Sequence, residues 1–126
     1  MKTKNALLAA ALSALLVVSA AASAADDHHP GRALTIKGEV LDLACYIGHG
    51  AKGPDHANCA RMCAKQGQPT GLLAEDGTVY VIFASHDDPS VLDAVKDLAG
   101  KKVEAKGEVF EKSGLKGFEV ASIKAI

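Results

Sequence analysis

Apolar and polar positions alternate along several stretches of the chain, as in β-strands, and follow a helical spacing in two other stretches. Together these patterns predict five strands, with one helix after the first strand and another between the third and fourth strands. The predicted strands lie at residues 34–43, 70–75, 78–84, 101–110 and 115–126, and the predicted helices lie at 55–66 and within 86–100.

Turn and cap residues support the boundaries of these elements. Asp76-Gly77 separates two strand patterns and predicts a tight hairpin turn. Asp55 can cap the first helix and Gly67 can end it, because glycine accepts the left-handed backbone found after many helices. Beyond Gly38 the apolar residues of the first strand move to its other face, which predicts a bulge or a sharp bend near this glycine.

The number and order of the elements predict a mainly β fold with two short helices. Five strands with a helix between the third and fourth have the order of the OB-fold, a five-stranded Greek-key barrel. The C-terminal stretch LAGKKVEAKGEVFEKSGLKGFEVASIKAI also resembles the closing hairpin of exported bacterial OB-fold proteins. This resemblance implies a small periplasmic barrel but no particular ligand, since OB barrels bind many unrelated molecules.

The N-terminal residues have the parts of a secretory signal peptide. A lysine-containing start is followed by an apolar run at 6–18 and by the A-x-A cleavage site Ala22-Ser23-Ala24. The run is shorter than the ~20 apolar residues that a membrane-spanning helix needs. We therefore expect a periplasmic or secreted protein that does not associate with a membrane after cleavage. The chain divides into a signal peptide at 1–24, a flexible leader at 25–33 and a single domain at 34–126.

The charge and the aromatic content argue against nucleic acid as a ligand. The chain has 15 acidic and 14 basic residues, and Lys2 and Lys4 leave with the signal peptide, so the mature charge is 12 − 15 = −3. Nucleic-acid-binding domains usually carry a basic surface and aromatic rings that stack on bases. This chain has three Phe, two Tyr and no Trp. We expect no nucleic-acid partner, and the sequence identifies no partner protein.

Residues that bind transition metals are concentrated in one segment, with the spacing C-x3-H-x6-H-x2-C-x3-C. On the predicted helix, His56, Cys59 and Cys63 lie at i, i+3 and i+7 and therefore share one stripe. Cys45 lies at the predicted end of the first strand, and His49 lies in a glycine-rich loop. Cysteine and histidine bind zinc tetrahedrally, and thiolates also select Cu(I). The candidate ligands for zinc or copper are Cys45, His49, His56, Cys59 and Cys63.

Three cysteines are an odd number for a protein sent to an oxidising compartment. Cys45 can instead form a disulfide with Cys59 or Cys63, which would staple the helix to the barrel and leave one thiol free. The protein is then a periplasmic thiol–disulfide redox protein, if the free thiol attacks the bond, or a stapled binding module without a metal. The spacing is not that of a C-x-x-C redox motif, and the chain contains no recognisable catalytic set.

The sequence therefore predicts an exported, small metal-binding protein, and it does not indicate an enzyme. The cluster would serve metal buffering, metal delivery or structural stabilisation. The redox protein and the disulfide-stapled module stay open as alternatives.

Overall fold

The computed structural model describes residues 31–126, so the predicted signal peptide and most of the predicted leader lie outside the described residues. Five strands, three short α-helices and one 3₁₀ turn make up this part of the chain. The strands are β1 (Arg32–Asp42), β2 (Thr70–Ala74), β3 (Val79–Phe83), β4 (Lys102–Lys112) and β5 (Leu115–Ala125). The helical elements are α1 (Leu43–His49), the 3₁₀ turn (Pro54–His56), α2 (Ala57–Lys65) and α3 (Val91–Asp97). Within residues 31–126, no helix is long and apolar enough to cross a membrane.

The five strands close into a barrel in the order β1-β2-β3-β5-β4, with β4 pairing back onto β1. The pairs are antiparallel, except that β3 and β5 run parallel. The predicted mainly β class and the five-stranded, OB-fold-like barrel are confirmed. The predicted positions of a helix after β1 and of another between β3 and β4 are also confirmed.

Strand β1 belongs to both halves of the barrel. Its residues 32–39 pair with β4, and its residues 38–42 pair with β2. A Cβ atom at Gly38 would collide with the carbonyl oxygen of Leu73, so the point where β1 changes partners requires a glycine. The predicted bend at Gly38 is thus a change of pairing partner. A register shift lies elsewhere, between β4 and β5 next to Gly107.

The hydrophobic core fills the barrel and continues under the helices. Apart from Ala105, its members on the strands are large or β-branched, whereas α2 contributes only alanines. The buried strand residues are Ile36, Val40, Leu72, Tyr80, Ile82, Val103, Ala105, Phe118 and Val120, and the buried helical-segment residues are Ala60, Ala64, Val95 and Ala99. Small side chains let α2 lie close to the barrel, and α2 carries two of the three cysteines.

The structure differs from the sequence prediction around Cys45 and His49. The prediction places Cys45 at the end of the first strand and His49 in a loop, whereas both lie on α1. Strand β1 ends at Asp42, whose side chain caps α1, and α1 ends at Gly50 in the left-handed conformation (φ 69°). A helix of 7 residues makes about two turns, which is too short to give a recognisable periodicity in the sequence.

Candidate metal centre

Helix α1 carries Cys45 in its first turn, and two contacts fix this turn on the barrel. Asp42 Oδ1 accepts a hydrogen bond from the Ala44 N–H at 3.0 Å, the usual contact of a helix N-cap. The buried Leu43 side chain lies against Gly71, where an added Cβ atom would come within 2.6 Å of Leu43 Cδ2. The position of Cys45 is therefore set by the end of β1 and by a glycine of β2.

A buried glutamate fixes the loop that leads to His56. Glu39 is 5% exposed, and its Oε1 accepts a hydrogen bond from the Gly53 N–H at 2.5 Å. Gly53 has φ 84° and ψ 179°, a conformation that is open essentially to glycine alone. The 3₁₀ turn that ends at His56 begins directly after it. The alternation of β1 predicts Glu39 on the outer face, but this loop covers it.

Helix α2 carries Cys59 and Cys63 one turn apart. The alanines that directly follow these two cysteines are buried, so α2 packs through small side chains. Ala57, the first residue of α2, lies against Gly100, where an added Cβ atom would come within 2.7 Å of Ala57 Cβ. These close contacts fix the two cysteines relative to the barrel.

The three cysteine sulfurs form a triangle, which we call the cysteine triangle. The Sγ atoms of Cys45, Cys59 and Cys63 lie 4.0–4.5 Å from one another. Two sulfurs bound to one zinc ion at ~2.3 Å are ~3.8 Å apart in tetrahedral geometry and ~4.0 Å apart in trigonal geometry. Small side-chain rotations therefore bring the three thiols onto one ion. Cys59 is exposed and the other two are half-buried, so such an ion is accessible from solvent.

A second group, the Asp–Cys–His triangle, shares Cys45 with the first. A carboxylate oxygen of Asp42, the Sγ of Cys45 and a ring nitrogen of His56 lie within 4.8 Å of one another. Asp42 is 1% exposed, and its Oδ2 and the Nε2 of His56 are buried without a hydrogen-bond partner. An unpaired buried polar atom costs about 1–3 kcal/mol and calls for an explanation, such as a bound ion. The Asp–Cys–His triangle is therefore a second group that could hold a metal ion.

The structure brings together four of the five residues predicted as metal ligands, namely the three cysteines and His56. His49, the last residue of α1, is exposed and belongs to neither triangle. Asp42 is not among the residues predicted as ligands. It lies three residues before Cys45 as the N-cap of α1, so its closeness to Cys45 can be predicted from the sequence only if α1 is recognised as a helix.

The Asp42 carboxylate controls the ionisation of the nearest thiol. A hydrogen bond to Asp42, followed by burial, raises the pKa of Cys45 from 9.0 to about 12. Burial and a hydrogen bond with Cys59 raise the pKa of Cys63. Neighbouring anionic groups favour either protonated thiols or a bound cation, because a cation offsets the repulsion among thiolates. The cluster therefore has the electrostatics of a cation site.

The three cysteines are free, and no disulfide joins them. A thiol–disulfide exchange centre uses a thiolate whose pKa is lowered by its surroundings. The surroundings of Cys45 and Cys63 instead raise the pKa of both thiols. Cys45 and Cys63 thus lack the lowered pKa that a thiol–disulfide exchange centre uses.

Comparison of the chain with protein-family models, with curated proteins and with solved structures gave no match. The architecture fits an OB-fold-like barrel, while the narrower resemblance to exported bacterial OB-fold proteins has no matching relative to support it. We therefore infer the function from the fold and the two triangles.

Proposed function

We propose that this protein is an exported metal-binding protein whose cysteine triangle holds one zinc or copper(I) ion. The observation that carries this proposal is the convergence of three thiols from two separate helices, with sulfur separations of 4.0–4.5 Å. Thiolates are strong ligands for both ions. Asp42 adds negative charge next to the triangle, which further favours a cation.

The exposure of the site supports metal buffering or delivery. A structural zinc site is usually closed by four protein ligands, whereas a site with three protein ligands keeps one position open. Cys59 is exposed, and the barrel has its own hydrophobic core apart from the cluster. An ion on the cysteine triangle would therefore exchange with solvent or with a partner protein, while the barrel stays folded.

The predicted signal peptide supports a location of this function in the periplasm or outside the cell. Thiols in such compartments tend to oxidise, and three cysteines cannot all pair within one chain. A bound ion keeps the cysteines as metal thiolates. Metal binding thus accounts for an odd number of cysteines in an exported domain.

The test begins with expression of the full chain with its own N-terminus and isolation of the periplasmic protein. Intact mass reports the cleavage site, with loss of residues 1–24 expected. Elemental analysis and native mass spectrometry report the bound metal, with at least one zinc or copper ion per chain expected. Replacing Cys45, Cys59 or Cys63 by serine removes a direct ligand. Each replacement should weaken zinc affinity by more than ~100-fold, beyond the loss typical of an outer-sphere change.

His49→Gln is the matched control, because His49 lies on α1 with Cys45 but outside both triangles. We expect this variant to bind zinc with unchanged affinity. The proposal is wrong if the protein binds neither ion, or if the serine variants bind as tightly as the parent chain. It is also wrong if His49→Gln loses as much affinity as they do.

A further inference from the structure

The two triangles meet at a single atom, the Sγ of Cys45. The structure groups the five candidate ligand atoms into these two triangles and not into one five-membered cluster. A tetrahedral ion takes four ligands, so one ion cannot use both triangles in full. We infer that the site holds a second divalent ion on Asp42, Cys45 and His56, with the Cys45 thiolate bridging the two ions; this rests on the proposed function.

The Asp42 carboxylate is already oriented for the second ion. Its Oδ1 is held by the 3.0 Å hydrogen bond from Ala44 N–H, so the rotation of the carboxylate is fixed. Its other oxygen, Oδ2, is buried, has no partner and belongs to a side chain that is 1% exposed. One oxygen therefore anchors the helix, and the other is left for a ligand. A metal ion at this position would be bound by a carboxylate oxygen of Asp42 and a ring nitrogen of His56, and each of these side chains has a buried atom without a partner.

Charge also favours two divalent ions. Three thiolates and one carboxylate carry four negative charges when all are ionised. A single Zn²⁺ leaves two of these charges uncompensated, and the Asp42 carboxylate, which is 1% exposed, has little water to solvate its charge. Two Zn²⁺ ions neutralise the ligand set, whereas two Cu⁺ ions do not. The inferred occupant is therefore a zinc pair.

The distances suit a bridged pair. Two zinc ions that share one sulfur at ~2.3 Å, with a near-tetrahedral angle at the sulfur, lie ~3.8 Å apart. This separation falls within the ~3.5–4 Å range of two-metal sites in proteins. The first ion has three thiolates and the second has one thiolate, one carboxylate and one imidazole, so the second ion should bind more weakly.

The test is a zinc titration of the reduced, metal-free protein, followed by native mass spectrometry and competition with a chelator. We expect two zinc ions per chain. Asp42→Asn is a well-matched variant, because asparagine caps a helix as well as aspartate does but carries no charge. Asp42→Asn and His56→Gln should each reduce the stoichiometry to one ion and leave the affinity of the first ion within ~10-fold. Cys45→Ser should remove the second ion and weaken the first, and His49→Gln should keep both.

The possible outcomes separate this inference from the proposed function. Two ions in the parent chain, one in Asp42→Asn and in His56→Gln, and a zinc–zinc distance of ~3.5–4 Å by X-ray absorption would support the bridge. One ion in every variant that keeps the three cysteines would overturn the bridge and leave the proposed function standing. Two ions in Asp42→Asn and His56→Gln would place the second ion elsewhere and also overturn the bridge. No bound zinc in the parent chain would overturn the zinc pair and weigh against the proposed function.

Discussion

Gly100, between α3 and β4, lies against the first residue of α2, so Gly100→Ala tests whether this contact positions Cys59 and Cys63. The residue has φ 80°, and a left-handed conformation costs an alanine about 1–2 kcal/mol. The new Cβ atom would also come within 2.7 Å of Ala57 Cβ and closer still to Ala57 Cα. Overpacking of this kind costs a further ~1–3 kcal/mol. The expected loss in the free energy of unfolding is therefore about 2–5 kcal/mol.

Gly77→Ala is the matched control for the backbone cost. Gly77 also has a positive φ, 86°, but a Cβ atom there would have no neighbour within 4 Å. Its expected loss is therefore only about 1–2 kcal/mol. Urea unfolding followed by circular dichroism should separate the two variants by roughly 1 M in midpoint at an unchanged slope. Equal midpoints would refute the argument that the contact between Gly100 and Ala57 is sterically tight.

The same pair of variants links the fold to the site. Because Ala57 begins α2, a shift of Ala57 moves Cys59 relative to Cys45. We therefore expect Gly100→Ala to weaken zinc binding and Gly77→Ala to leave it unchanged. A zinc affinity that is identical in the two variants would show that the cluster adapts to movements of α2.

In the metal-free protein, the pKa of Cys45 is raised to about 12, against 9.0 in the unfolded chain. The folded state therefore gains stability from the protonated thiol. This stability is fully present below pH 9 and is lost as the pH rises toward 12. Urea unfolding at about pH 8 and about pH 10.5 should therefore show a larger drop for the parent chain than for Cys45→Ser, and equal drops would contradict this assignment. Phe118→Ala removes a ring that is 0% exposed and should cost about 3–5 kcal/mol, whereas Leu115→Ala, at 62% exposed, should cost under ~1 kcal/mol in the same unfolding assay. Asp97→Asn breaks the exposed 2.7 Å ion pair with Lys65 and should cost less than ~1 kcal/mol, a loss that disappears when unfolding is measured at high salt.

The barrel can be predicted from the sequence because apolar and polar residues alternate along each strand, with the apolar residues facing a single interior. Val103 and Ala105 alternate with charged residues along the chain, which predicts that they point inward, and both are fully buried. Glu39 is an exception to this alternation, because the pattern of β1 predicts it on the solvent-facing side of the barrel, whereas it is buried. The loop that follows α1 covers it and supplies the Gly53 N–H as its partner. Burial by an inserted segment depends on tertiary contacts that the strand pattern does not contain.

Part of the candidate site can also be predicted from the sequence. The helical spacing places Cys59 and Cys63 one turn apart on α2, where the structure has them, because this spacing follows from helix geometry alone. His56 instead ends the 3₁₀ turn before α2 and lies with Asp42 and Cys45. His49 lies at the exposed C-terminal end of α1 and belongs to neither triangle. Asp42 enters the cluster because its carboxylate caps that same helix. The unrecognised helix of 7 residues thus accounts for the omission of Asp42 from the predicted ligands.

The central claim is that the three cysteine thiolates converge on one metal ion. Zinc-edge X-ray absorption of the protein loaded with a single equivalent of Zn²⁺ tests it most directly, because it counts the sulfurs bound to the ion. We predict three sulfur neighbours per zinc at ~2.3 Å, and one fewer when Cys45, Cys59 or Cys63 is replaced by serine. A coordination shell of nitrogen and oxygen alone, or with a single sulfur, would contradict the claim.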